Sequence, residues 1–253
     1  MLDGALRSVP MSVLHDGDRY LIEKPYDLAV VPSLQLFDLR SPRQKQVKVL
    51  AVGVSEEQVL GGLTSPLSEL PNVPDELNAI AQTVSTEILL NQNFVRDALE
   101  QRVKSGRFST VHIATHGQFS SDPDKTYIAA YQELLRANDL NTVLRTQNRD
   151  RSDFIDLLVL SACETADGDN RATLGLAGMA VRAGAKTTLS TLWQINDQST
   201  AWMMERFYQE LTKPDTSMAS ALHQAQLALF KEYGLSNPLG WAPYVLIGNW
   251  GVA

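Results

Sequence analysis

Residues 154–164 read Phe-Ile-Asp-Leu-Leu-Val-Leu-Ser-Ala-Cys-Glu, and this stretch decides the fold. It is a nearly continuous apolar run, rich in Leu, Ile and Val and free of Gly and Pro. Such a run reads as a strand buried on both faces of a sheet. After Cys163 the character changes to Glu-Thr-Ala-Asp-Gly-Asp-Asn over 164–170, a polar loop. The strand is therefore expected over Phe154–Ala162, with Cys163 at its carboxyl end. In open α/β sheets that edge is where ligands bind and chemistry is done.

Outward from this stretch, Val47–Val54, Thr110–Thr115 and Lys186–Trp193 give the same buried-strand signal, and Pro243–Ile247 reads as a last strand. Between them lie stretches with helical spacing: Asp75–Ser85, Phe94–Val103, Asn138–Leu144 (capped by Asn138 or Asp139), Asp197–Leu211 and Ser217–Phe230. Leu174–Ala183 reads as a small-residue helix whose Gly175 and Gly178 serve close packing. Glu87–Leu90 reads as a short strand, Tyr127–Tyr131 as an edge strand or hairpin arm, and Leu14–Glu23 as a hairpin. Strands alternating with helices predict a mainly parallel sheet covered on both faces. One domain is expected over residues 1–253, its first 45 residues forming an entry lobe packed on the core. No internal repeat is visible.

A formal charge of −7 argues against a general nucleic-acid binder. No apolar run approaches the roughly 20 residues needed to span a bilayer. The N-terminus lacks the basic flank and apolar block of a signal peptide. One cysteine cannot form an internal disulfide, so a cytoplasmic, reducing setting is the simplest reading.

Two of the expected strands end in a reactive residue, His116 and Cys163, which lie 47 positions apart. A thiol with a pKa near 8.5 is only a few per cent thiolate at neutral pH. A neighbouring imidazole raises that fraction or moves the proton during acyl transfer. If the two strands are adjacent and parallel, both side chains emerge at one sheet edge. Gly117 permits close approach of a substrate, and its N–H and that of Cys163 could form an oxyanion hole. The caspase signature has an Ala-Cys pair with a histidine about 50 residues upstream. Ala162-Cys163 and His116 match it, whereas Ser161, Glu164 and Thr165 do not.

Blander readings stand beside these. A lone buried cysteine is usually a small hydrophobe. His112 and His116 share a His-x-x-x-His spacing, but on a β-branched strand without a third ligand this points to a packed core histidine at 112 rather than a metal site. His15 and His223 read as surface or helix-face residues. Asp197 reads as a helix N-cap. Glu164, Asp167 and Asp169 read as a solvated loop, and Trp193 as the one tryptophan at the active edge.

The segments VHIATHG (111–117), LVLSACET (158–165), LGLAGMAVRAGAKTTLSTLWQINDQST (174–200) and GWAPYVLIG (240–248) together resemble the CHAT domain. CHAT domains are caspase-like, related to separase, and often follow TPR repeats in bacteria. The opening residues resemble the entry to that domain, so the similarity covers nearly the whole chain. The resemblance implies a three-layer caspase-like α/β fold and a cysteine endopeptidase with a His116/Cys163 dyad. It implies no cofactor and no metal. The partners it implies are a protein or peptide substrate and a protein activator or fused TPR-type module, with no direct contact to nucleic acid or membrane. By the same resemblance Ser161 lines the pocket for the residue before the cut, and Asp197 offers a carboxylate to an Arg or Lys there. Ser120–Leu140 departs from the strand–turn–strand pattern of the family. The main alternative is a catalytically silent scaffold that binds partners. A weaker third reading is a small-molecule thiol hydrolase.

Overall fold

The computed structural model describes residues 9–31, 47–120, 122–144, 155–165, 185–193, 195–232, 237–248 and 251. The strands are β1 (Lys48–Gly53), β2 (Ser85–Leu90), β3 (Thr110–Phe119), β4 (Tyr127–Ala130), β5 (Glu133–Arg136), β6 (Leu157–Thr165), β7 (Thr187–Thr191) and β8 (Tyr244–Gly248). The helices are α1 (Val73–Thr83), α2 (Arg96–Lys104), α3 (Ala137–Val143), α4 (Asp197–Leu211) and α5 (Met218–Lys231).

Strands run parallel in the order β2-β1-β3-β6-β7, with β8 antiparallel beside β7 and the β4–β5 hairpin attached to β3. The opening stretch explains the layering. Leu157 and Val159 enter one apolar cluster with Leu77 of α1, Phe207 of α4 and Leu222 of α5. Leu158 and Leu160 enter a second cluster with Leu99 of α2 and Leu140 of α3. Successive side chains alternate across a strand, so only a run apolar at every position can serve both clusters. Each such side chain contributes about 1.5–3 kcal/mol by leaving water. At the end of β1 a Cβ on Gly53 would lie 2.7 Å from Val73 Cγ1 and 2.8 Å from the Ala114 carbonyl oxygen. Glycine there lets the start of α1 sit against the sheet.

Several element ends differ from the sequence reading. Strand β3 does not stop at Thr115 but continues to Phe119, and β6 continues past Cys163 to Thr165. The reason is a partner distant in sequence. Where β1 ends, β4 takes its place beside β3, pairing Gly117 with Ile128 and Gln118 with Tyr127. The β4–β5 hairpin supplies the strand–turn–strand that Ser120–Leu140 was expected to lack. Helix α3 is capped by neither Asn138 nor Asp139. Its N-cap is Arg136, whose N–H donates to the Asp139 carboxylate at 3.0 Å.

The expected hairpin at Leu14–Glu23 reduces to one bridge, His15 to Tyr20, between two short 3-10 turns. Asp16 Oδ1 accepts from the N–H groups of Asp18 and Arg19, so the loop closes on itself and no ladder propagates. This segment packs on the core. Val30 N–H donates to Leu246 O at 2.8 Å, and Ile22 is buried. His223 is a helix-face residue on α5, as one of the two readings had it, but on the buried face: its Nε2 donates to Ile22 O at 2.8 Å, with Nδ1 3.3 Å from Asp27 Oδ1. The expected helix Leu174–Ala183 and the acidic positions Asp167 and Asp169 lie outside the described residues. Among the described residues no helix is long and apolar enough to cross a membrane.

Candidate active site

The strands that carry His116 and Cys163 are direct neighbours and parallel. Their register is regular from Thr110/Leu157 to Ala114/Ser161 and then shifts, resuming at Gly117/Cys163. Thr115 and His116 on β3 therefore stand opposite Ala162 alone on β6. This is a β-bulge, which adds one residue to a strand, opens the ladder locally and re-aims side chains. It lies beside the two candidate residues, at the carboxyl end of the parallel sheet. The Cys163 backbone faces that of Gly117, one residue from His116; the side chains of residues 162–165 lie outside the described part.

His116 is half-buried, and its Nε2 lies 2.8 Å from the carbonyl oxygen of Ser68. A carbonyl only accepts, so Nε2 carries the proton and donates it there. Nδ1 is then the nitrogen able to accept a proton from a thiol. Ser68 belongs to the stretch between β1 and α1, which crosses the carboxyl edge. Bonds between Leu67 and Gln58, and from Leu70 N–H to Ser55 O, hold that stretch in place. Gln58 Oε1 in turn accepts from Gln132 N–H in the β4–β5 turn. Gly117, the expected oxyanion donor, is buried between β6 and β4 next to the bulge.

Ser161 is fully buried, and its hydroxyl donates to Glu76 Oε1 at 2.7 Å. The same oxygen lies 2.8 Å from His112 Nε2, and His112 Nδ1 lies 3.3 Å from the Tyr208 hydroxyl. Glu76, His112 and Tyr208 are all buried. Burial, with the Glu76 carboxylate as a second cause, holds the Tyr208 phenol well above its ordinary pKa. His112 is thus a core histidine with two polar partners, and His116 has a separate one.

Asp197 is the first residue of α4 but not its cap. Asn196 is the cap, its side chain accepting from Gln198 N–H at 3.0 Å. Asp197 Oδ2 instead accepts from the backbone N–H of Asn72 at 2.6 Å and from Asn72 Nδ2 at 3.0 Å. Its Oδ1 is buried and has no donor among the described residues. Trp193, beyond the end of β7, is half-buried and donates from Nε1 to Leu239 O at 3.2 Å. No group of three His, Cys, Asp or Glu among the described residues could hold a metal ion.

Three residues that sequence reasoning missed serve this edge: Ser68, Asn72 and Glu76. Only Glu76 left a signal. In Val73-x-x-Glu76-Leu77-x-x-Ile80 it occupies a position on the apolar face of α1, where a carboxylate requires buried partners. Ser68 acts through its carbonyl, which no side-chain pattern announces.

The family model for the CHAT domain matches residues 1–249. No curated protein matches the sequence. Among solved structures, gingipain R, described as an Arg-specific cysteine proteinase, superposes with a TM-score of 0.55 at 10% identity, over 81% of this chain and 46% of that one. The complex of pro- and mature gingipain domains from Porphyromonas gingivalis gives 0.56 at 10% identity, over 81% and 48%. Separase from Saccharomyces cerevisiae, solved with securin, gives 0.51 at 13% identity, over 81% of this chain and 12% of that one. The chain spans about half the length of the gingipain chains and a smaller part of separase. The shared fold is caspase-like.

Proposed function

The chain belongs to the CHAT-domain family and has the scaffold of a cysteine peptidase, and we propose that it is a cysteine endopeptidase working through a His116/Cys163 dyad. The observation that carries this reading is the bulged pairing of β3 with β6, which sets the Cys163 backbone opposite Gly117, one residue from His116. A substrate backbone lies along the carboxyl edge of the sheet. Cys163 attacks the scissile carbonyl carbon, its proton passing to His116 Nδ1. The Ser68 carbonyl holds the ring and stabilises the imidazolium that forms. The N–H groups of Cys163 and Gly117 receive the oxyanion. His116 returns the proton to the leaving amine, and water then releases the acyl group from sulfur.

Asp197 takes the side chain before the cut. A carboxylate whose Oδ2 is fixed by Asn72 and whose Oδ1 lacks a donor suits the guanidinium of Arg or the ammonium of Lys. Ser161 backs that pocket without touching the substrate side chain, its hydroxyl being buried on Glu76. Substrates are proteins or peptides, and a partner or attached module controls access. A positional peptide library tests the reading: cleavage after basic residues, absent in Cys163→Ala, is expected. No Cys163-dependent cleavage of any peptide, with or without candidate partners, overturns it.

A further inference from the structure

Resting on this dyad reading, we infer that Glu76 is a positioning residue that bolts β3 to β6 from beneath and sets the separation of His116 and Cys163. One buried oxygen, Glu76 Oε1, joins the two strands. It accepts from Ser161 Oγ on β6, two residues before Cys163, and lies 2.8 Å from His112 Nε2 on β3, four residues before His116. The sheet ladder pairs Cys163 with Gly117 beyond the bulge but leaves His116 within the bulge, opposite Ala162, so the ladder alone does not fix how His116 stands to Cys163. The bolt lies immediately before the interruption, where the register is last regular.

The same helix and its approach reach the edge at two more points, Ser68 O to His116 and Asn72 to Asp197. Ser68, Asn72 and Glu76 thus fasten the base, the pocket carboxylate and the strand pair to one element. A shift of α1 would move all three together. The network buries a carboxylate with an imidazole and two hydroxyls inside an otherwise apolar layer. Such a group is costly unless each member is satisfied, so losing one partner disturbs the others.

The test reads the thiol directly. The rate of Cys163 alkylation by iodoacetamide is measured against pH for wild type, His116→Ala, Glu76→Gln and Ser161→Ala, with a thermal melt to establish folding. Wild type is expected to reach its plateau well below the unperturbed thiol pKa of about 8.5, and His116→Ala to return to that value. Glu76→Gln and Ser161→Ala are expected to move toward the His116→Ala profile. Peptide turnover should fall about tenfold or more with KM little changed, within the ~100-fold that a 1 Å misplacement costs. Their effects should be non-additive in the double variant, since both break one bond. If wild type and His116→Ala coincide, the dyad reading falls and this inference with it. If they differ while folded Glu76→Gln and Ser161→Ala track wild type, the role of Glu76 alone is overturned. Ser161→Ala, which removes one hydroxyl, carries the test if Glu76→Gln does not fold.

Discussion

His116 Nε2 donates to the carbonyl oxygen of Ser68 across 2.8 Å, which fixes the ring of the proposed base by main chain from outside the sheet. The fixing atom belongs to the stretch that leads into α1, so the base follows that stretch rather than β3 alone. Replacing Leu70, the buried anchor of this stretch, by Ala should loosen it. A Leu→Ala change in a core costs about 2–5 kcal/mol. In Leu70→Ala, turnover should fall with KM little changed under conditions where the variant remains folded, as read by steady-state kinetics.

Asp197→Ala should separate charge recognition from chemistry. Truncating one partner of a buried charge pair costs about 2–5 kcal/mol. Cleavage after Arg and Lys should therefore fall by roughly 30-fold or more in kcat/KM, while cleavage after uncharged residues changes far less. Equal loss for all peptides would count against the pocket role. Asn72→Ala removes only one of the two donors to Oδ2, leaving the backbone N–H, and should give a smaller loss of the same selectivity.

His223→Ala should release the N-terminal segment without touching the sheet edge. The clasp to Ile22 O and Asp27 is buried against α5, and losing it leaves the Ile22 carbonyl without this donor. The expected cost is about 1–3 kcal/mol, measured by denaturant unfolding. Alkylation of Cys163 in the folded variant should match wild type.

Alkaline pH should destabilise the fold through two buried tyrosines. Burial raises the pKa of both Tyr208 and Tyr244 above the ordinary value of 10.0. Above about pH 10 the unfolded chain releases these protons while the folded chain keeps them, so the unfolded state binds fewer protons and stability falls as pH rises. The contribution is fully present below pH 10 and is lost progressively between there and the folded values. Each tyrosine adds a slope of up to about 1.4 kcal/mol per pH unit. Tyr208→Phe should remove one such contribution in unfolding curves between pH 9 and 11, and an unchanged slope would contradict it.

Much of the architecture was legible because of burial on two faces. Leu157–Leu160 and Val49–Val52 are apolar at every position, and such a run has few alternatives to a central strand. The full lengths of β3 and β6 were not legible, since Gln118 and Glu164 look like loop residues. They stay in the sheet because β4 replaces β1 as partner, a pairing no local pattern encodes. The bulge was invisible for the same reason. At the site, the sequence placed His116 and Cys163 on two buried strands but left the adjacency of those strands as a condition, which the parallel pairing of β3 with β6 meets. The bonds that tie them to α1 cross 48 positions from Ser68 to His116, 85 from Glu76 to Ser161 and 125 from Asn72 to Asp197. Asp197 shows how a local rule misleads: it is well suited to cap a helix, yet Asn196 caps α4 and frees Asp197 to face Asn72.

The central claim is that His116 activates Cys163, and covalent capture by an arginyl chloromethyl ketone tests it most directly. Intact-protein mass and peptide mapping should show one adduct, on Cys163, in wild type and none in Cys163→Ala. Capture should slow by about 100-fold or more in His116→Ala, in line with the 10²–10⁴ that a positioned base contributes. Labelling of wild type and His116→Ala at the same rate, or no labelling of Cys163, would contradict the account.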